Sequence, residues 1–193
     1  VFETDGTGYC NVIYDPNVDR FAVFWIDNAG PYSYAAVAQI DNSDNSVSFG
    51  SNTNLGAISG VDDNISGYGL YFDPDQNKIG VAVNNNASGT QAIKGLVGTI
   101  TGGGTNTIAF GSAATISGDA TSYTGNGYGT VGCYDTVADR GLFVFGDSGD
   151  SHKLTSVVTT ISGTSMSVGS EVHVTETNTG SDTNLYPAMV FDS

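Results

Sequence analysis

The chain has 193 residues, 20 of them Asp or Glu against 5 Lys or Arg, for a formal charge of −15; so few cations cannot neutralise a run of phosphates, and nucleic acid and anionic membrane surfaces are not expected partners. Only 13% of residues are charged, and 27 are glycine. With Ser, Thr, Asn and Asp filling the gaps between short apolar alternations, this excludes a helical bundle and points to an all-β chain with many tight turns.

No apolar run is long enough for a transmembrane helix, and no charged segment followed by an apolar one opens the chain as a secretory signal would. The chain starts on Val1 rather than Met, which reads as a processed chain or a fragment. Val1-Phe2-Glu3 resembles the tail of a preceding strand. The first predicted strand, Asn11–Asp15, ends on the pair Tyr14-Asp15. A turn carries the chain to a second strand, Phe21–Asp27. The third contains Val37-Ala38-Gln39-Ile40, and after the polar turn Asp41–Asn45 a fourth runs from Val47 through Phe49-Gly50-Ser51. The order then repeats. Gly69–Asp73 ends on Phe72-Asp73, Ile79–Asn85 follows, Val97-Gly98-Thr99-Ile100 marks the third strand, and a fourth runs from Ile108 through Phe110-Gly111-Ser112. The third round has Val131–Asp135 ending on Tyr134-Asp135, then Leu142–Asp147, Val158-Thr159-Thr160-Ile161, and a strand from Met166 through Val168-Gly169-Ser170. Leu185–Phe191, closed by Phe191-Asp192, resembles the first strand of a further unit. A basic residue stands five positions after each of the first three Asp landmarks: Arg20, Lys78 and Arg140.

Several landmarks in one order, at a period of about 60 residues, make tandem repeats the governing feature of the chain. The units run approximately over 1–51, 52–112 and 113–170, with a partial one over 171–193. Short gaps between strands imply antiparallel hairpins, so each unit is a four-stranded antiparallel meander. Such meanders pack as β-propeller blades, with a linear stack of sheets or a sandwich as the alternatives. Three complete units and two terminal stubs fall short of the four blades a closed propeller requires. The chain is therefore expected to be a piece of a longer repeat polypeptide, or one of several copies that assemble through the stubs.

The motifs Tyr14-Asp15-Pro16, Phe72-Asp73-Pro74, Val97-Gly98-Thr99-Ile100 and Phe49-Gly50-Ser51 give the chain a resemblance to a tandem β-repeat family of uncharacterised surface and tail-fibre-like proteins of marine phages and bacteria. The resemblance spans essentially the whole chain, departing where Thr136 replaces the Pro and Val168 the Phe. It implies repeated β blades in an extracellular or virion setting, and it carries no catalytic residues.

The turn after the first strand places Asp15, Asn17 and Asp19 at alternate positions, and Asp73, Asp75 and Asn77 repeat the pattern. Oxygen ligands so spaced can hold Ca²⁺. The same residues also suit a turn in which the Asp accepts backbone N–H bonds and the basic residue pairs with it. The acidic pairs Asp41/Asp44, Asp62/Asp63 and Asp147/Asp150 shift from unit to unit, as solvated loop residues do, although paired carboxylates are what glycoside hydrolysis uses. His152 and His173 lack neighbours at metal-ligand spacing and read as surface or loop residues. Cys10 and Cys133 sit at inequivalent positions and read as free, buried thiols, with a disulfide between them as the alternative. Asn64-Ile65-Ser66 and Asn86-Ala87-Ser88 match the glycosylation sequon at Asn64 and Asn86. Among Trp25, Tyr32, Tyr34, Tyr68, Tyr123 and Tyr128, the turn-flanked Tyr32 and Tyr123 are expected to be exposed as platforms for a sugar face.

Repetition without a singular reactive constellation favours a non-enzymatic recognition or display module with a cell-surface glycan or receptor as partner. The alternative is a self-assembling subunit of an extracellular fibre, partnered by other copies or by flanking parts of its own polypeptide. A glycan-cleaving propeller enzyme would need carboxylates convergent in one cavity.

Overall fold

A computed structural model of the protein describes residues 7–27, 32–62, 65–87, 90–118, 130–147, 149–150, 153–175 and 189–190. It is all-β in those residues, with three antiparallel sheets in chain order. The first sheet runs β1 (Thr7–Asp15), β2 (Arg20–Asp27), β3 (Ser33–Asp41) and β4 (Ser46–Phe49), with β5 (Thr53–Asn54) also on β3. The second runs β6 (Ile65–Asp73), β7 (Lys78–Ala87), β8 (Thr90–Thr101) and β9 (Thr107–Phe110), with β10 (Ala114–Ser117) also on β8. The third runs β11 (Val131–Asp135), β12 (Arg140–Asp147), β13 (Lys153–Ser162) and β14 (Ser165–His173). Both terminal stubs expected from the sequence lie outside the described residues, apart from Met189 and Val190.

The Asp-to-basic spacing has a direct cause. Asp15 faces Arg20, Asp73 faces Lys78 and Asp135 faces Arg140 across a hairpin, so the spacing is the length of a four-residue turn. The last turn residue is left-handed in every unit, with φ of 53° at Asp19, 55° at Asn77 and 62° at Asp139. Asp and Asn tolerate that conformation better than other residues with a side chain.

The fourth strand departs from the sequence reading. It is broken in the first two sheets, after Phe49 and after Phe110, and resumes as β5 and β10. The register shows why. Ala38 faces Phe49 but Ala35 faces Thr53; Gly98 faces Phe110 but Gly95 faces Ala114; Thr159 faces Val168 but Val157 faces Glu171. Each time the fourth strand carries one extra residue. The Gly-Ser landmark is thus a β-bulge that all three sheets share.

The sheets pack face to face through two apolar layers. Ala22, Phe24, Val37 and Leu55 of the first unit meet Ile79, Val81, Val83, Ile100 and Ile108 of the second. Ala82, Ile93, Val97 and Ile116 of the second meet Phe143, Phe145, Val157, Ile161 and Met166 of the third. Alternation along β7 sends Ile79, Val81 and Val83 to one layer and Ala82 to the other, which is why this central strand is polar-free from Ile79 to Val83. Equivalent positions take equivalent roles, so the packing is head to tail.

Candidate functional site

The aromatic-Asp turns are built by side chains that serve the backbone. Asp15 Oδ1 accepts from the Asn17 amide at 3.0 Å. Asp73 Oδ1 accepts from the amides of Asp75 (3.0 Å) and Gln76 (2.9 Å), and Asp135 Oδ1 from those of Val137 and Ala138, both at 2.8 Å. Asp15 and Asp73 are buried, so these bonds offset the cost of burying a carboxylate. Tyr14 donates its hydroxyl to Asp19 (2.8 Å) and Tyr134 to Asp139 (2.9 Å). In the second unit both members change together, to Phe72 and Asn77. These bonds raise both phenol pKa values; at Tyr14 the bond to Asp19 is the larger cause, at Tyr134 burial is. Among the described residues no three His, Cys, Asp or Glu side chains are grouped to hold a metal ion.

The basic residue of the motif does not pair with its Asp among the described ion pairs. Arg20 instead crosses to the second sheet, where its Nε donates to Asn106 Oδ1 at 2.9 Å, while its Nη1 donates to the Asp19 carbonyl at 2.7 Å. Asn106 in turn donates through Nδ2 to Gln39 Oε1 at 3.0 Å. Asn106 belongs to the β8–β9 turn, and its carbonyl oxygen lies so close to Gly50 that a Cβ there would overlap it. The β13–β14 turn does the same one sheet on, with the Thr164 carbonyl seated against Gly111. The glycine of the Gly-Ser landmark is therefore the seat for the next sheet's turn. Sequence reasoning found the landmark but not this use, because the partner lies in the following repeat.

One further contact between repeats joins carboxyl groups. Asp75 hydrogen-bonds Asp139, which raises the Asp75 pKa, while the same bond together with the Tyr134 hydroxyl lowers that of Asp139. Tyr71 is held between Gly80 of its own sheet and Gly141 of the third. Its hydroxyl bonds Thr159 Oγ1 at 2.9 Å, and burial pushes its pKa up to about 12.

The first strands of the three sheets lie side by side, β1 by β6 and β6 by β11. Gly69 and Gly132 permit this, since a Cβ on either would press on the neighbouring backbone. An open pocket of about 330 Å³ forms there, between Asn11–Ile13, Leu70, Val131, Gly132 and Met189. Among the described residues, no titratable side chain lines it.

A Thr-His-Asp arrangement occurs in the third sheet. His173 Nδ1 is 3.1 Å from Thr155 Oγ1, and Nε2 is 2.6 Å from Asp150 Oδ2, which also bonds Lys153 Nζ at 3.2 Å. Thr155 is fully buried and cannot reach a substrate, so the group works as a clasp between β14 and the β12–β13 connection.

Of the aromatic candidates, Tyr32 is 41% exposed and lies 6.5 Å from Tyr34, which stacks on Trp25 at 5.7 Å. Trp25 and Tyr68 are buried. Tyr123, Tyr128, Asn64, Asp63 and His152 lie outside the described residues. Asn86 is placed within β7, opposite Gln91. Asp41 and Asp44 accept from the Ser43 and Ser46 amides, both at 2.8 Å, and Asp147 Oδ1 from the Asp150 amide at 3.2 Å. Both cysteines are free, but neither is buried: Cys10 is exposed and Cys133 half-buried. Cys10 sits beside the irregularity between Gly8 and Cys10 that alters the facing of β1.

No protein-family model, curated protein or solved structure matches the chain.

Proposed function

We propose that the chain is a non-enzymatic repeat module of an extracellular or virion surface structure, serving display or the recognition of a receptor or glycan. The observation that carries this reading is repetition: one sheet plan and one glycine-seated turn contact recur along the chain. The described polar groups hold turns and sheets together instead of converging on a cavity. Side-by-side first strands with head-to-tail faces support propeller-like blades as the arrangement. The exposed ring of Tyr32, backed by Tyr34 and Trp25, supports a sugar-stacking platform.

An array of cell-surface glycans tests this reading. Binding that Tyr32→Ala reduces at least tenfold is expected, consistent with the loss of one stacking ring. Hydrolysis of any arrayed glycan by the purified chain would overturn the non-enzymatic reading. The second reading, a fibre subunit, is favoured by the exposed apolar side chains Ile40, Val47 and Val158 on the two outer sheet faces.

A further inference from the structure

Each sheet has two distinct faces, and the two interior contacts show how they match. The forward face of one sheet carries the landmark glycine and the Val of the third strand. The rear face of the next carries the Ile of the third strand and the first apolar residue of the fourth. Where a neighbour is present, these residues are buried: Val37 and Val97 are 0% and 1% exposed, Ile100 and Ile161 6% and 8%. At the two outer faces their equivalents are open. Val158, on the forward face of the third sheet, is 46% exposed, while Ile40 and Val47, on the rear face of the first, are 43% and 53% exposed.

The polar parts of the contact are unmatched in the same way. Gly169 stands three residues after Met166, as Gly50 follows Val47 and Gly111 follows Ile108. It is exposed, and a Cβ there would meet nothing beyond its own sheet. Asn45 stands two residues before Val47, as Asn106 stands before Ile108 and Thr164 before Met166. Asn45 is left-handed at φ 59° and Asn106 at φ 43°. Arg140 makes the same bond to its own turn carbonyl that Arg20 makes, at 2.7 Å in both, and is exposed where Arg20 reaches Asn106.

We propose that the forward face of the third sheet receives the rear face of the first sheet of a second copy of this chain, with the Asn45 carbonyl seated at Gly169 and Arg140 on the Asn45 side chain. The occupant follows from continuity with the two contacts already present: the missing turn, the missing apolar pair and the missing arginine partner are all supplied by the chain's own other face. Asp41 and Asp44 of the incoming turn add a complementary charge for Arg140. Because the two surfaces differ, the contact is heterologous. The inference deepens the fibre-subunit reading and rests on it; the recognition reading is decided separately, on the glycan array.

Sedimentation velocity over a concentration series of the purified chain tests it. Concentration-dependent assembly is expected. Val158→Asp and Ile40→Asp, both at exposed positions and checked for an unchanged circular dichroism spectrum, should each leave single copies. Mixed in equal amounts, they should form a dimer that grows no further, since each retains the one face the other lacks. Arg140→Gln should weaken assembly about tenfold, the loss of one charged hydrogen bond. A single-copy mass at every concentration would overturn the proposal. So would assemblies that persist in both Asp variants, or an equal mixture that stays monomeric.

Discussion

Asp19, Asn77 and Asp139 show how much one backbone conformation can dictate. The left-handed φ at these positions selects Asp or Asn, and the upstream Asp then closes the turn with its own side chain. The carboxyl pair Asp75–Asp139 joins two turns of this kind. The bond to Asp139 and the charges around it raise the Asp75 pKa above its ordinary value of 3.8. A carboxyl raised in the folded state contributes stability below its unfolded pKa and loses it as pH rises through the folded value. Asp75→Asn keeps a donor for Asp139 and removes the ionisation. The variant should therefore melt at a higher temperature than the parent near neutral pH, and the two should converge below about pH 4. Thermal melts across that range decide it; a variant less stable at neutral pH would refute a stability cost at the ionised Asp75.

At the level of strands and turns, most of the architecture was legible in the sequence. Alternation such as Val47-Ser48-Phe49 and the turn chemistry around Asp15 are local signals, and they placed the first three strands of each unit and the hairpins joining them. The break after Phe49 and Phe110 was not legible. Gly-Ser reads as the continuation of a strand, and the carbonyl that seats on its glycine arrives from the next repeat. Asp75–Asp139 and Thr155–His173–Asp150 were hidden for the same reason, since spacing along the chain says nothing of such partners. Tyr32 was readable as exposed because its neighbours are turn residues. The role of the landmark glycine has a measurable counterpart. Gly111→Val would drive a side chain into the Thr164 carbonyl and should destabilise the protein by about 3 kcal/mol, at the upper end of overpacking effects. Gly169→Val, where a Cβ would come no closer than 3.1 Å to the Val158 carbonyl of its own sheet, should cost well under half of that. Denaturant melts of the two variants give the comparison, and equal losses would refute the seat.

Across the whole molecule, the second sheet is packed between the other two, one apolar layer on each face. The third sheet is held by the layer around Phe143, Phe145 and Met166. Phe143→Ala should lose about 3–5 kcal/mol. Because repeat stability is a sum of unit and nearest-neighbour contributions, hydrogen exchange should show lost protection in residues 131–173 while β1–β3 keep theirs. Uniform loss over all three sheets would mean that the stack unfolds as one. The head-to-tail packing also bears on geometry. Equivalent turn-to-glycine contacts join the first sheet to the second and the second to the third, so the chain carries two steps of one packing plan. Superposing those two steps gives a rotation and a translation along an axis. A rotation that divides a full turn, with no translation, generates a closed circle of fixed copy number; any residual translation generates a screw whose pitch is already written in three sheets.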